Sequence, residues 1–150
     1  MDDVMGSGPD EVQFRFRTDD VVDHAAVTVD SFLDQSNAAA VRIEPGDDAR
    51  ELLPHLDRIK LVEVNFPAHT DGRGYSSART LREAGYAGEL RAVGDVLVDQ
   101  LSHLRRCGFD AFAPRLTLDE ADAQAAFNRW ADVYQATGDG RAPIWQKRHG

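Results

Sequence analysis

From Ala38 onward the chain alternates strand-like and helix-like segments, and that alternation predicts an α/β domain built of repeated βα units. Two further observations support the fold class. A length of 150 residues with 42% hydrophobic and 29% charged side chains is ordinary for one globular domain with a real core. The helical patterns also run into glycines, Gly85, Gly108 and Gly138, where a helix would stop. Successive strand–helix units give parallel strands with right-handed crossovers. Two architectures fit: a half-barrel-like sheet, or a small open parallel sheet with helices outside. Residues 1–11 read as a flexible leader, 12–138 as the single domain and 139–150 as a basic tail containing Trp145.

Taken in order, residues 12–17 (VQFRFR) alternate as a half-buried strand does. Residues 25–29 and 38–43 are further short strands around a polar turn at 31–37. Residues 47–59 carry Leu52, Leu53, Leu56 and Ile59 on one helical side, and Pro54 is expected to split that helix into two short turns. A strand at 61–66 (LVEVNF) leads through the loop 67–75 into a helix over 76–84, capped by Ser76. A strand at 89–93 (ELRAV) precedes a helix over 96–107, which Gly108 ends in a left-handed conformation with Phe109 packing back on Leu104. A short strand at 110–114 follows. The last helix opens on Thr117 and Glu120, read as a capping box, and carries Phe127, Trp130 and Tyr134 at helical spacing.

Composition excludes several function classes. With 26 acidic against 17 basic residues and a net charge of −9, the chain lacks the positive stripe that nucleic-acid backbones require. No apolar run reaches the roughly 18 residues of a membrane span, and the N-terminus is acidic where a signal peptide is basic, so a cytoplasmic location is expected. One cysteine, Cys107, cannot make an internal disulfide, a dithiol redox pair or a four-cysteine iron–sulfur site. The scattered His24, His55 and His103 have no metal-ligand spacing, so no metal site is expected.

Chemistry concentrates in residues 71–110, which hold six Arg and six acidic residues and are neutral in an acidic chain. In a parallel α/β sheet, ligands bind at the carboxyl ends of the strands. Those ends are Glu44, the 67–75 loop, Gly94-Asp95 and Arg115. In the loop, Asp71-Gly72-Arg73-Gly74 precedes a helix start whose free N–H groups favour an anion, and Arg73 and Arg79 add charge-assisted donors. The alternative is a capped turn with solvated arginines. The same glycines fall short of a dinucleotide fingerprint, because Ser77 stands at the third position and five residues separate them from the strand. In the 89–95 stretch, Glu89 and Arg91 share one strand face and Asp95 sits at its end. If buried, they must pair with each other or with Asp99, with Gln100 orienting the network. A site and an internal salt-bridge network both fit. His69 and Asp95 are the candidates for proton transfer, and Cys107, at a helix C-terminus, reads as packed and inert.

The stretches FPAHTDGRGYSSARTLRE (66–83), GELRAVGDVLVDQL (88–101) and RRCGFDAF (105–112) resemble the bacterial domain of unknown function 934 family. That family is described as oxidoreductases of sulfite reduction and is encoded beside assimilatory sulfite reductase. The resemblance implies a role in reducing sulfite during sulfate assimilation, with sulfite reductase as a partner and a small oxyanion such as sulfite as ligand. It marks Asp71, Gly72, Arg73, Gly74, Ser76, Arg79, Arg82, Arg91, Asp95, Asp99 and Gln100 as the positions of interest. The residues themselves show no nicotinamide, flavin, haem or iron–sulfur signature, so no cofactor is expected. Three readings stay open. The first is an accessory protein that binds an oxyanion or docks on the reductase. The second is a genuine oxidoreductase with a borrowed cofactor or electron donor, in which Arg73, Arg79 and Arg91 hold substrate and Asp95 or His69 moves protons. The third is an assembly module that pairs with another subunit.

Overall fold

Two neighbouring strands with almost no exposed residues set the architecture. Leu61–Phe66 and Glu89–Gly94 are buried on both faces, as central parallel strands are. The fold is that of a computed structural model describing residues 11–134 apart from Asp23 and Ser36. The tail, its Trp145, Gly138 and most of the leader lie outside the described residues.

In chain order the described elements are β1 (Phe14–Arg15), β2 (Val27–Thr28), α1 (Val29–Asp34), β3 (Ala40–Ile43), a 3-10 helix (Ala49–Arg58), β4 (Leu61–Phe66), α2 (Arg73–Glu83), β5 (Glu89–Gly94), a 3-10 turn (Val98–Gln100), α3 (Leu101–Cys107), β6 (Ala111–Pro114) and α4 (Glu120–Tyr134). The sheet order is β1-β6-β5-β4-β3-β2, with β2 through β6 parallel and β1 antiparallel at the edge. The sheet is open. From β2 to β6 the strand order follows the chain, and the sheet is not closed into a barrel, which agrees with a single α/β domain of repeated βα units.

The helices bury their apolar sides in one cluster. Phe32 of α1, Leu81 of α2, Leu104 of α3 and Phe127 of α4 join Val62, Val64, Leu90 and Phe112 from the sheet. Phe127 sits edge-on to Phe14 and Phe16 at centroid distances of 5.5 and 4.8 Å, locking α4 over β1. Among the described residues, no helix is long and apolar enough to cross a membrane.

Because strand side chains alternate, Glu63, Glu89 and Arg91 point to the face opposite this cluster. There they form a ladder across four strands. Arg15 Nε donates to Glu89 Oε1 at 3.0 Å, and Arg91 Nη2 donates to Glu89 Oε2 at 2.8 Å. Arg91 Nη1 reaches Glu63 Oε2 at 3.3 Å, and Arg42 Nε donates to Glu63 Oε1 at 2.9 Å. Asp19 closes the Arg15 end with a 2.8 Å bond to Nη2. Three cations therefore face three carboxylates.

Several boundaries differ from the sequence reading. The 25–29 strand shrinks to β2, because Thr28 Oγ1 accepts the Ser31 N–H at 3.1 Å and starts α1 where a turn was expected. Pro54 does not split its helix. The segment winds as one 3-10 helix, whose i to i+3 bonding keeps the proline ring clear of an i−4 carbonyl. The 96–107 helix divides into the 3-10 turn and α3, since Gln100 Oε1 accepts the Leu97 N–H at 2.9 Å and makes a local turn. The final helix starts later than its predicted capping box: Asp119, not Thr117, accepts the Asp122 N–H at 2.9 Å. Gly108 closes α3 as expected, with φ 113° and the Phe109 N–H donating to Leu104 O at 3.1 Å.

Candidate functional site

The loop after β4 and the first turn of α2 fold around Asp71. Its carboxylate accepts the Arg73 backbone N–H at 3.0 Å and the Arg73 guanidinium through Nη2 at 2.7 Å. These bonds hold the Asp71 carboxyl down to about 2, so the pair stays ionised through neutral pH. The helix begins at Arg73, and its cap residue, Gly72, has no side chain to offer, so Asp71 takes the Arg73 N–H. Ser76 therefore lies one turn inside α2 and is not the cap. Asp71 supplies an acceptor earlier in the chain, which moves the start forward.

Gly74 has a different purpose from the predicted turn. It lies within α2, and a Cβ there would stand 2.5 Å from Phe66 Cε1 and 2.9 Å from Val64 Cγ1. Glycine lets α2 approach β4 closely and narrows the space beside the loop. Gly74→Ala is expected to destabilise by about 1–3 kcal/mol through overpacking. Urea denaturation checks this, and an unchanged midpoint would contradict the close approach.

A cleft of about 300 Å³ opens at the carboxyl ends of β3 and β4. Arg73, Ser76, Ser77 and Thr80 line the α2 side, and Arg50 lines the opposite rim. The two guanidiniums are largely in solvent, with 65% and 76% of the Arg73 and Arg50 side chains exposed. Arg50 repeats the Arg73 arrangement: its N–H and guanidinium both bond Asp48 two residues earlier, with Nη2 to Oδ2 at 2.9 Å. The acidic residues of the cleft are engaged locally. Asp47 Oδ2 accepts the Glu44 N–H, and Glu44 Oε1 accepts from Asn65 Nδ2, both at 2.7 Å.

Beside the cleft a second cluster assembles over the ends of β4 and β5. Asp95 Oδ2 accepts the His69 N–H at 2.8 Å and stands 2.9 Å from His69 Nδ1. Gln100 Nε2 donates to His69 O at 2.8 Å and lies 3.0 Å from the Tyr75 hydroxyl. The His69 bonds, aided by the charge of Arg115, hold the Asp95 carboxyl below its usual range. Arg115 follows β6 at the same edge and donates weakly to Pro67 O at 3.4 Å.

The predicted residues thus divide. Asp71, Gly72, Arg73, Gly74 and Ser76 meet at one helix start, and His69, Asp95 and Gln100 meet at the next strand end. Arg91 joins neither. It is 2% exposed and bonded to Glu89 and Glu63, so it belongs to the internal ladder. Asp99 is exposed on the 3-10 turn and does not pair with Arg91. Arg79 is exposed on α2 and does not line the cleft. Arg82 faces the far end of α2, where it bonds Gly108 O, Tyr86 O, Gly88 O and Asp110. Cys107 is buried, with Sγ 3.8 Å from His103 Nε2. Arg50, Thr80 and Tyr75 escaped the sequence reading as site residues, Ser77 entered it only as the mismatched position of a dinucleotide fingerprint, and Arg115 only as a strand end. For Arg50 a signal existed: Asp48-Ala49-Arg50 and Asp71-Gly72-Arg73 repeat one acid-x-arginine unit at two successive helix starts.

A model of a family described as bacterial protein of unknown function, DUF934, matches residues 40–145. No curated protein and no solved structure matches the chain.

Proposed function

The chain belongs to that bacterial family, and from this premise we propose that it is an accessory protein of assimilatory sulfite reduction that binds a small oxyanion in the cleft between Arg50 and Arg73. The observation that carries the reading is the pair of exposed guanidiniums flanking about 300 Å³ of space beside three hydroxyl side chains of α2. The pathway rests on the resemblance of residues 66–112 to proteins encoded with sulfite reductase. The cleft chemistry is compatible with it. Sulfite offers acceptor oxygens alone, and the α2 side of the cleft offers donors. Asp48 and Asp71 keep the two arginines in place before a ligand arrives. A ligand that carries one or two charges suits this balance better than a polyphosphate, since Glu44, Asp47 and Asp48 share the cleft.

Calorimetric titration with sulfite, and with sulfate as comparison, tests the ligand. Arg73→Ala is expected to weaken sulfite binding about tenfold or more, the loss of one charge-assisted bond. Absence of binding by the unaltered protein, or equal affinity in the variant, defeats the assignment. Deletion tests the pathway. Growth on sulfate or sulfite should fail while growth on cysteine persists, and normal growth on sulfite removes the pathway reading.

A further inference from the structure

We propose that His69 is a reactive centre distinct from the cleft, a general base that acts through Nε2 on a small anionic substrate bearing an acidic O–H or N–H. None of the side chains that build it lines the cleft. The proposal begins with Asp95, which is bonded to His69 twice, through the backbone N–H at 2.8 Å and the ring Nδ1 at 2.9 Å. An ionised carboxylate only accepts hydrogen bonds, so Nδ1 carries a proton. In the neutral ring the lone pair then resides on Nε2. Free of Asp95, a neutral imidazole could place its proton on either nitrogen. The carboxylate selects the form whose outer nitrogen is basic.

The ring is also held in position. Its own peptide is fixed at both ends, the N–H by Asp95 and the C=O by Gln100 Nε2 at 2.8 Å. Gln100 is fixed in turn, because its Oε1 accepts the Leu97 N–H at 2.9 Å. Asp95 is placed by its N–H bond to Phe66 O at 2.7 Å. A loop residue is thereby held by groups on two strand ends and a turn, the kind of support that a preorganised reactive group needs. A loop staple alone requires only the backbone bond from His69 to Asp95. The second bond does something else: it orients a titratable ring at the carboxyl edge of a parallel sheet.

The ring is accessible, and a cation acts on its partner carboxylate. The His69 side chain is 49% exposed and that of Asp95 is 29% exposed. Arg115 is exposed at the end of the adjacent strand and acts electrostatically on Asp95. An anionic substrate entering from solvent meets the Arg115 guanidinium first and finds Nε2 as the acceptor for its proton. The proton taken up by Nε2 creates an imidazolium that keeps its Nδ1–H on the Asp95 carboxylate.

The test uses diethyl pyrocarbonate on the full chain with no oxyanion present, so its result is independent of the cleft. The Nε2 lone pair attacks one carbonyl carbon of the reagent, the N–C bond forms, the C–O bond to monoethyl carbonate breaks with its electron pair, and the Nδ1 proton passes to solvent. Peptide mapping follows each of the five histidines. His69 should react fastest, and Asp95→Asn should slow it about threefold or more, because the Asn amide N–H can donate to Nδ1 and move the ring proton to Nε2, with His24 unaffected. Equal His69 rates in the two proteins overturn the proposal. A second measurement needs no variant: long-range proton–nitrogen correlation in the unaltered protein should place the neutral-ring proton on Nδ1. A proton on Nε2 overturns the proposal equally.

Discussion

Arg91→Met is expected to destabilise the protein by about 3–5 kcal/mol, the loss typical of removing one partner from a buried ion pair. Arg91 lies between two carboxylates, and all three side chains are at most 2% exposed. Methionine fills the volume of the stem and leaves Glu89 and Glu63 facing each other without the cation that separates them. Arg15 and Arg42 still hold the outer oxygens, but neither reaches the gap. Arg42, with its side chain 30% exposed at the ladder's end, should cost much less when replaced by methionine, because Glu63 keeps Arg91 as its partner. Adding Glu63→Gln and Glu89→Gln to Arg91→Met should recover part of the loss, since two buried carboxylates no longer face each other, while Arg15 keeps Asp19 and Arg42 is partly in solvent. Urea denaturation of the four proteins checks the order. A loss below about 1 kcal/mol at Arg91 would place the ladder among solvated surface pairs.

That ladder also shows how far the sequence could be read. The two-residue spacing of Glu89 and Arg91 puts them on one strand face, and burial then requires pairing; both expectations hold. The remaining partners, Glu63, Arg15 and Arg42, depend on strand order and register. Glu63 lies opposite Arg91 and Arg42 in the two parallel pairings. No local pattern announces such alignments. The strand at 61–66 was legible to the residue, because an apolar run bounded by a loop has few other ways to bury both faces. Helix starts were less so. Ser76 and Thr117 are good caps in isolation, yet Asp71 and Asp119 take up the first-turn N–H groups in their place.

The candidate site divides along the same line. The Asp71-to-Ser76 stretch is local, so its gathering at a helix start could be read directly. His69 and Asp95 are 26 residues apart, and only the adjacency of β4 and β5 brings the imidazole to the carboxylate. Arg115 arrives from the next strand in the same way. A parallel sheet collects its functional groups from loops distant in sequence, so each was visible as a strand end but not as a neighbour of the others.

Gly94→Ala is expected to cost about 2–5 kcal/mol and to dismantle the His69–Asp95 pair, combining about 1–2 kcal/mol of left-handed backbone strain with about 1–3 kcal/mol of overpacking. Gly94 has φ 94°, and a Cβ would stand 2.5 Å from Phe66 O and 2.7 Å from Asn65 Oδ1. The first obstacle is backbone of the neighbouring strand, so neither side can yield cheaply. The same turn places three bonds: the Asp95 N–H to Phe66 O at 2.7 Å, and the Val96 and Arg115 N–H groups to Gly94 O at 2.9 and 2.7 Å. Moving Gly94 off Phe66 O therefore moves Asp95 away from His69 and Arg115 away from both. Gly85→Ala is the control. Its φ is 97°, yet a Cβ there meets nothing within 4 Å, so only the backbone strain applies. Thermal melts should show a clearly larger loss at Gly94, and the folded Gly94 variant should react more slowly at His69 with diethyl pyrocarbonate. Equal losses at the two glycines would mean that the strand neighbour gives way, and an unchanged His69 rate would mean that Asp95 does not depend on this turn for its placement.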